Sequence, residues 1–218
     1  MNPFEASFPA FDPAAVRAQF PALAADTVYF DNPAGAQAAG RCIDRMRDYL
    51  VHSNANSGGH FPASRASDTL VAETRRAAAA FLNAASPDEI VLGPNITTLA
   101  FRLAESVAAR LAPGDTVVVT RLDHDANIAP WVRAAQARGA RVRQVDFDPA
   151  TGALCLEDYR AAMTESPRLV AVGYASNALG TVNPVRELAR LAREAGARVF
   201  VDAVHYAPHG PIDVRELD

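Results

Sequence analysis

The sequence predicts an α/β fold, a three-layer sandwich with a mainly parallel sheet. Three observations carry this. Short runs such as Thr-Val-Val-Val-Thr at 116–120 and Leu-Val-Ala-Val-Gly at 169–173 are apolar without alternation, as in strands covered on both faces. Helix-length amphipathic stretches separate them, long enough for right-handed crossovers between parallel strands. Half of the 218 residues are hydrophobic and 21% are charged, a balance that buries a core and does not suit a disordered chain.

The elements follow in order. Residues 1–27 read as a Pro-rich, weakly structured N-terminal segment. Val-Tyr-Phe at 28–30 reads as a short strand. Residues 36–51 read as a helix, with Ile43, Met46, Leu50 and Val51 near one face. Turn residues at 53–60 break the pattern. Residues 62–82 form a long helix, and Pro62 suits its first turn. A strand is predicted at 89–92 and a helix at 96–111. Pro113-Gly114-Asp115 is a turn before the strand at 116–120. Then come a helix at 128–138 that stops at Gly139, a strand at 141–145 and a helix at 156–163. The strand at 169–173 precedes a helix at 184–195 that Gly196 ends. The strand at 198–201 delivers Asp202. There is no internal repeat.

Composition narrows the function. No apolar run approaches the roughly 20 residues that cross a bilayer. The N-terminus, Met1-Asn2-Pro3-Phe4-Glu5, has neither a basic nor an apolar leader region, which points away from secretion. A net charge of −4 argues against a nucleic-acid or anionic-membrane surface. Cys42 and Cys155 make neither a disulfide framework nor a zinc site, so the expected compartment is the cytoplasm. All 21 basic residues are arginine; the chain has no lysine.

Ligands in open α/β sheets bind beyond the carboxyl ends of the strands. Four such ends gather polar groups: 93–98, 121–127, 174–181 and 202–205. Each has a plain role. Asn95 is a good N-cap, and Thr97 and Thr98 can simply complete it. His124 can be a satisfied loop histidine, and Asn177 a turn former that bonds its own backbone. Asp202 is harder to explain that way, because a carboxylate ending an apolar strand is costly without a partner. Together the groups fit pyridoxal 5′-phosphate. The first amides of the helix from 96, with the Thr97 and Thr98 hydroxyls, suit a phosphate. A carboxylate suits a protonated ring nitrogen, which keeps the ring an electron sink. A competing expectation is a metal-dependent hydrolase built on Asp123, His124, Asp125, Asp202, His205 and His209. It lacks a tight ligand motif such as H-E-x-x-H, and no G-x-G-x-x-G follows a strand to suggest a dinucleotide. A third is a non-catalytic fragment that acts as a binding partner.

The sequence resembles the class V aminotransferases, fold-type-I pyridoxal-phosphate enzymes that include cysteine desulfurases. The resemblance rests on Tyr29-Phe30-Asp31-Asn32, Asn54-Ala55-Asn56, Glu89-Ile90-Val91, residues 123–131 (Asp-His-Asp-Ala-Asn-Ile-Ala-Pro-Trp), 176–181 (Ser-Asn-Ala-Leu-Gly-Thr) and 201–209 (Val-Asp-Ala-Val-His-Tyr-Ala-Pro-His). By position it implies that His124 stacks on the pyridine ring and that Thr97 binds the phosphate. It likewise implies that Asn177 bonds the ring hydroxyl, Asp202 holds the ring nitrogen and His205 lies near the ring oxygen. His124, Asp202 and His205 are the implied catalytic residues, and no metal is implied.

The departures from the desulfurase pattern matter. Gly58-Gly59 stands where a His-Arg pair is usual, Asp125 replaces a second histidine, and Asp-Ala-Val-His replaces Asp-Gly-Ala-Gln. They imply a branch acting on a small amino acid by C–S lyase, epimerase or transferase chemistry. The resemblance also implies that residues 28–218 are an incomplete cofactor-binding large domain. The anchoring lysine and the C-terminal small domain would lie past the last residue, the full-length form would be a homodimer, and the 218 residues would be inactive alone.

Overall fold

A computed structural model describes residues 11–25 and 27–217, in two compact units, 1–71 and 72–218. Their elements are α1 (Pro13–Arg17), α2 (Gly40–His52) and α3 (Pro62–Leu82), which runs from the first unit into the second. Then follow α4 (Ile96–Ala108), β1 (Thr116–Thr120), α5 (Ala129–Gln136), β2 (Arg141–Val145), α6 (Leu156–Met163) and β3 (Leu169–Gly173). The last are α7 (Val185–Glu194), β4 (Arg198–Asp202) and α8 (Val214–Leu217).

The second unit is built on a four-stranded, wholly parallel sheet in the order β2-β1-β3-β4. Side chains alternate across a strand, and the two faces feed two separate cores. Val118, Val170 and Val172 pack with Tyr159, Met163 and Leu188 of α6 and α7. Val117, Val119, Leu169 and Ala171 pack with Ala104, Ala108, Trp131 and Ala135 of α4 and α5. This is the expected three-layer sandwich. Helix α7 shows why the helices sit where they do. Its buried residues, Val185, Leu188, Ala189 and Ala192, recur at 3–4 residue spacing and form one apolar stripe. Gly196, at φ 84°, then ends it in a left-handed conformation open to glycine. Buried Tyr159 donates its hydroxyl to the Leu188 carbonyl at 2.8 Å, so it brings no unsatisfied group into the core.

The connections fix where a ligand can bind. After β1 the chain turns to α5 on one face; after the neighbouring β3 it turns to α7 on the other. Two adjacent strands whose loops part to opposite faces leave a crevice at their carboxyl ends.

Two predicted strands are absent. Residues 89–92 follow a 3-10 turn, Pro87–Glu89, that the Ser86 hydroxyl caps. They pair with nothing among the described residues, and Val91 is 75% exposed. Residues 28–30 are likewise unpaired, with Phe30 95% exposed. An apolar run becomes a strand only if a neighbour takes its backbone groups. The predicted helices at 36–51, 96–111 and 128–138 are shorter, at Gly40–His52, Ile96–Ala108 and Ala129–Gln136. The weakly structured start contains the short α1, capped by Asp12, whose Oδ1 accepts from the Ala14 amide at 2.9 Å.

In the first unit the only described buried residues are Ser64 and Ser67. Ser64 Oγ donates to the Asn56 carbonyl at 2.6 Å and accepts from the Gly59 amide at 2.7 Å. Ser67 Oγ lies 2.9 Å from the Ala55 carbonyl, and Tyr49 Oη lies 3.2 Å from Ser67 Oγ. The apolar face of α2 is present as predicted, but Ile43, Met46, Leu50 and Val51 are all exposed.

Candidate active site

The crevice between β1 and β3 is filled by a carboxylate. Asp123, three residues past β1, folds back so that its Oδ2 accepts from Thr120 Oγ1 at 2.9 Å. Its Oδ1 lies over Gly173, the last residue of β3, so closely that any Cβ there would collide with it. Gly173 is in register with Asp202 on β4, so both carboxyls lie along one row of strand ends. Asp202 Oδ1 accepts from the Val204 amide at 2.9 Å, which fixes the side chain. Among the described residues, no arginine or histidine forms an ion pair with Asp123 or Asp202.

That lack of countercharge shows in the titration of Asp123. Burial, joined by the negative charge of Asp202, pushes its carboxyl up to about 7. The Thr120 hydroxyl, the Gly173 amide and the Asn127 side chain pull the other way but do not prevail. Asn127 is fully buried. Its Oδ1 accepts from Trp131 Nε1 at 3.1 Å, while its Nδ2 has no hydrogen-bond partner within 3.5 Å among the described residues and acts on Asp123 only from longer range.

His124 begins the 3-10 turn Asp125–Asn127, and its exposed ring is held by that turn. Nδ1 accepts from the Ala126 amide at 3.1 Å, so the neutral ring carries its proton on Nε2. The local role foreseen for a loop histidine is therefore real, and the residue stays exposed. Helix α4 packs against this turn. Asn95 caps α4 as predicted, with Oδ1 accepting from the Thr98 amide at 2.9 Å. The Thr98 amide is thus taken, which leaves the amides of Ile96 and Thr97, with the exposed Thr97 side chain, as the outward donors. Asn177 is exposed at the tip of a tight loop. There the Ser176 hydroxyl accepts from the Ala178 and Leu179 amides, both at 3.3 Å. His205, just past β4, lies edge-on to His209 at 5.3 Å between ring centroids.

Asp123 and Asp202 are brought together. Thr97, Thr98, Asn177 and His205 stand on their own loops or turns, with no side-chain hydrogen bond to another predicted site residue among the described residues. The six-residue metal set does not form: no three His, Cys, Asp or Glu side chains come together as a metal site among the described residues. A cavity of about 690 Å³ lies elsewhere, lined by Tyr174, Tyr206 and α7 arginines and by none of the predicted site residues. Two of its arginines are engaged, Arg190 with Glu194 and Arg193 with the Leu217 carbonyl.

Sequence reasoning considered Asp123 only as a metal ligand and passed over Thr120 and Gly173. The signal was present. Asp123, like Asp202, is an acid just beyond an apolar strand, and a glycine closing such a strand marks a close approach by another group.

The donor set fits pyridoxal phosphate: helix amides beside a hydroxyl, a pinned and exposed imidazole, and a carboxylate with no ion-pair partner among the described residues. The family description "Aminotransferase class-V" matches residues 28–218. A cysteine desulfurase of Dickeya dadantii is 40% identical over 93% of this chain and 51% of its own length. The aminotransferase-like protein FGM3 of Gibberella zeae is 37% identical over 93% and 51%. The apo structure of a cysteine desulfurase from Thermococcus onnurineus NA1 superposes with a TM-score of 0.87 at 30% identity, covering 94% of this chain and 50% of its own. The chain spans about half the length of the curated relatives it matches. With the family match covering nearly the whole length and the parallel sheet superposing on a solved member, the chain belongs to the class V aminotransferase family, whose cofactor is pyridoxal phosphate.

Proposed function

We propose that residues 28–218 supply the cofactor-binding half of a pyridoxal-phosphate enzyme acting on a small amino acid. The observation that carries this is Asp202: a fixed carboxylate at the end of a parallel strand, with no ion-pair partner among the described residues, beside a second carboxyl. Such a group is stabilised by a cationic ligand, and a protonated pyridine nitrogen is one. When bound, the cofactor supplies an electron sink for bonds at the amino acid's α or β carbon. Asp202 would keep the proton on the ring nitrogen. His124 would lie against one ring face, with its tautomer set by the Ala126 amide. The Thr97 hydroxyl and the free α4 amides would receive the phosphate, with Thr98 completing that turn. Asn177 and His205 would address the ring oxygen from the loops after β3 and β4.

Two relatives are described as a cysteine desulfurase and an aminotransferase-like protein. C–S lyase, transferase and epimerase chemistry therefore share the proposal. Gly58-Gly59 and Asp125, where desulfurases carry His-Arg and His, mean that the substrate need not be cysteine. Homodimerisation of the full-length enzyme and a cytoplasmic location belong to the same reading. No described helix is long and apolar enough to cross a membrane.

The test is pyridoxal-phosphate binding by difference absorbance. Wild-type protein should bind reversibly and lose the ligand on dialysis, because these 218 residues contain no lysine to anchor it. Borohydride treatment should label no internal residue. Asp202→Asn should weaken binding by roughly tenfold or more, and Thr97→Val by several-fold without moving the absorbance maximum. Equal affinity in wild type and Asp202→Asn would overturn the assignment.

A further inference from the structure

We propose that Asp123 is a positioning residue of this site: a carboxyl seated over Gly173 and bonded by Thr120, which fills the β1–β3 crevice beside Asp202. The inference rests on the cofactor reading and adds to it a residue that reading does not use.

The geometry is specific. Asp123 occupies space that exists only because position 173 has no side chain. Every group that acts on it can be named. Thr120 comes from β1, the Gly173 amide from β3, Asn127 from the turn after His124, and Asp202 from β4. None is a cation. Burial, with the negative charge of Asp202 added, raises the Asp123 carboxyl to about 7, so it is protonated on the acid side of neutrality and titrates around it. Asp202 accepts an N–H from Val204 and ends β4. The hydrogen-bond partner of Asp123, Thr120, is a hydroxyl, which can accept from a protonated carboxyl as readily as it donates to an ionised one.

The consequence concerns the ligand. With both carboxyls ionised, a bound pyridinium would face two competing acceptors. Where Asp123 is protonated it offers the ligand no second charge, and it acts by shape and hydrogen bonding. Asp123 also closes the floor of the β1–β3 crevice, over Gly173.

Carbon-13 NMR of aspartate-labelled protein, without added cofactor, tests this directly. In wild type one carboxyl should titrate near neutrality. Asp123→Asn should abolish that signal, and Asp202→Asn should shift it downward, because the like charge is gone. The second arm is pyridoxal-phosphate affinity. Asp123→Asn, the neutral isostere, should bind within about threefold of wild type between pH 6 and 8. Asp123→Ala should lose roughly tenfold, because the crevice floor opens. The proposal fails if every aspartate titrates as an ordinary carboxyl, or if Asp123→Asn binds as poorly as Asp202→Asn. If wild type binds no pyridoxal phosphate, the cofactor reading fails instead, and the cofactor-free titration still decides where the proton resides.

Discussion

Buried positions in the second unit are mainly Val, Leu and Ala, with Trp131 and Tyr159; in the first unit the two described buried residues are serines. The contrast separates two ways of holding a chain. In residues 72–218 each strand face meets a helix stripe, and apolar area leaves water on both sides of the sheet. In residues 11–71 the order comes from side chains that satisfy loop carbonyls and amides, while the apolar face of α2 stays exposed, Met46 at 67%. A net hydrogen bond contributes on the order of 1 kcal/mol, whereas a buried leucine contributes several times that. The candidate site lies wholly on the better-buried unit, where the strand ends have a rigid base.

The largest test removes that base. Leu188→Ala takes a fully buried side chain from beneath Tyr159 and should cost about 2–5 kcal/mol in urea unfolding. A loss below about 1 kcal/mol would mean that the sandwich repacks more freely than its closeness implies.

Asp123→Asn tests the exception inside the same unit, a carboxyl buried without a cation. The folded protein holds this proton more tightly than the unfolded chain, whose carboxyl has its ordinary value near 3.8. Stability from the group is therefore complete below about 4, falls as pH rises toward about 7, and is flat above. The asparagine variant should lack that slope. At pH 8 it should be the more stable form, by up to about 4 kcal/mol, and near pH 4 the two should coincide. Thermal unfolding as a function of pH checks this.

The first unit should respond more weakly. Ser67→Ala removes the contacts to the Ser53 and Ala55 carbonyls and should cost about 1 kcal/mol. Faster hydrogen exchange at 53–59 should accompany it. Smallest of all, Met46→Ala should change stability by less than about 0.5 kcal/mol, because an exposed side chain leaves no cavity. A Met46 effect as large as that of Leu188 would show that the α2 face is covered in solution and would end the contrast between the units.

Much of the site was legible. Asn95 as a cap, His124 held by its own turn and Asp202 at a strand end all follow from residue type and neighbours within a few positions. The same local reasoning failed at 28–30 and 89–92, where hydrophobicity suggested strands. Strand formation depends on a partner elsewhere in the chain, and the apolar run does not reveal whether one is present. It also undervalued Asp123, because the environment that makes this carboxyl unusual comes from Gly173 and Asp202, 50 and 79 positions away.

The sequence by itself located the segments that become the four parallel strands, the helices between them and the polar groups that follow each strand, because periodicity and caps act within a few residues. It also marked two apolar runs that pair with nothing among the described residues. Only the tertiary structure decided which strands are neighbours. That order, β2-β1-β3-β4, opens the crevice between β1 and β3 and brings Asp123 beside Asp202. The physical reason is the reach of the forces involved. Backbone propensity is local, whereas desolvation and the repulsion of two carboxylates exist only once distant segments have packed together and excluded water.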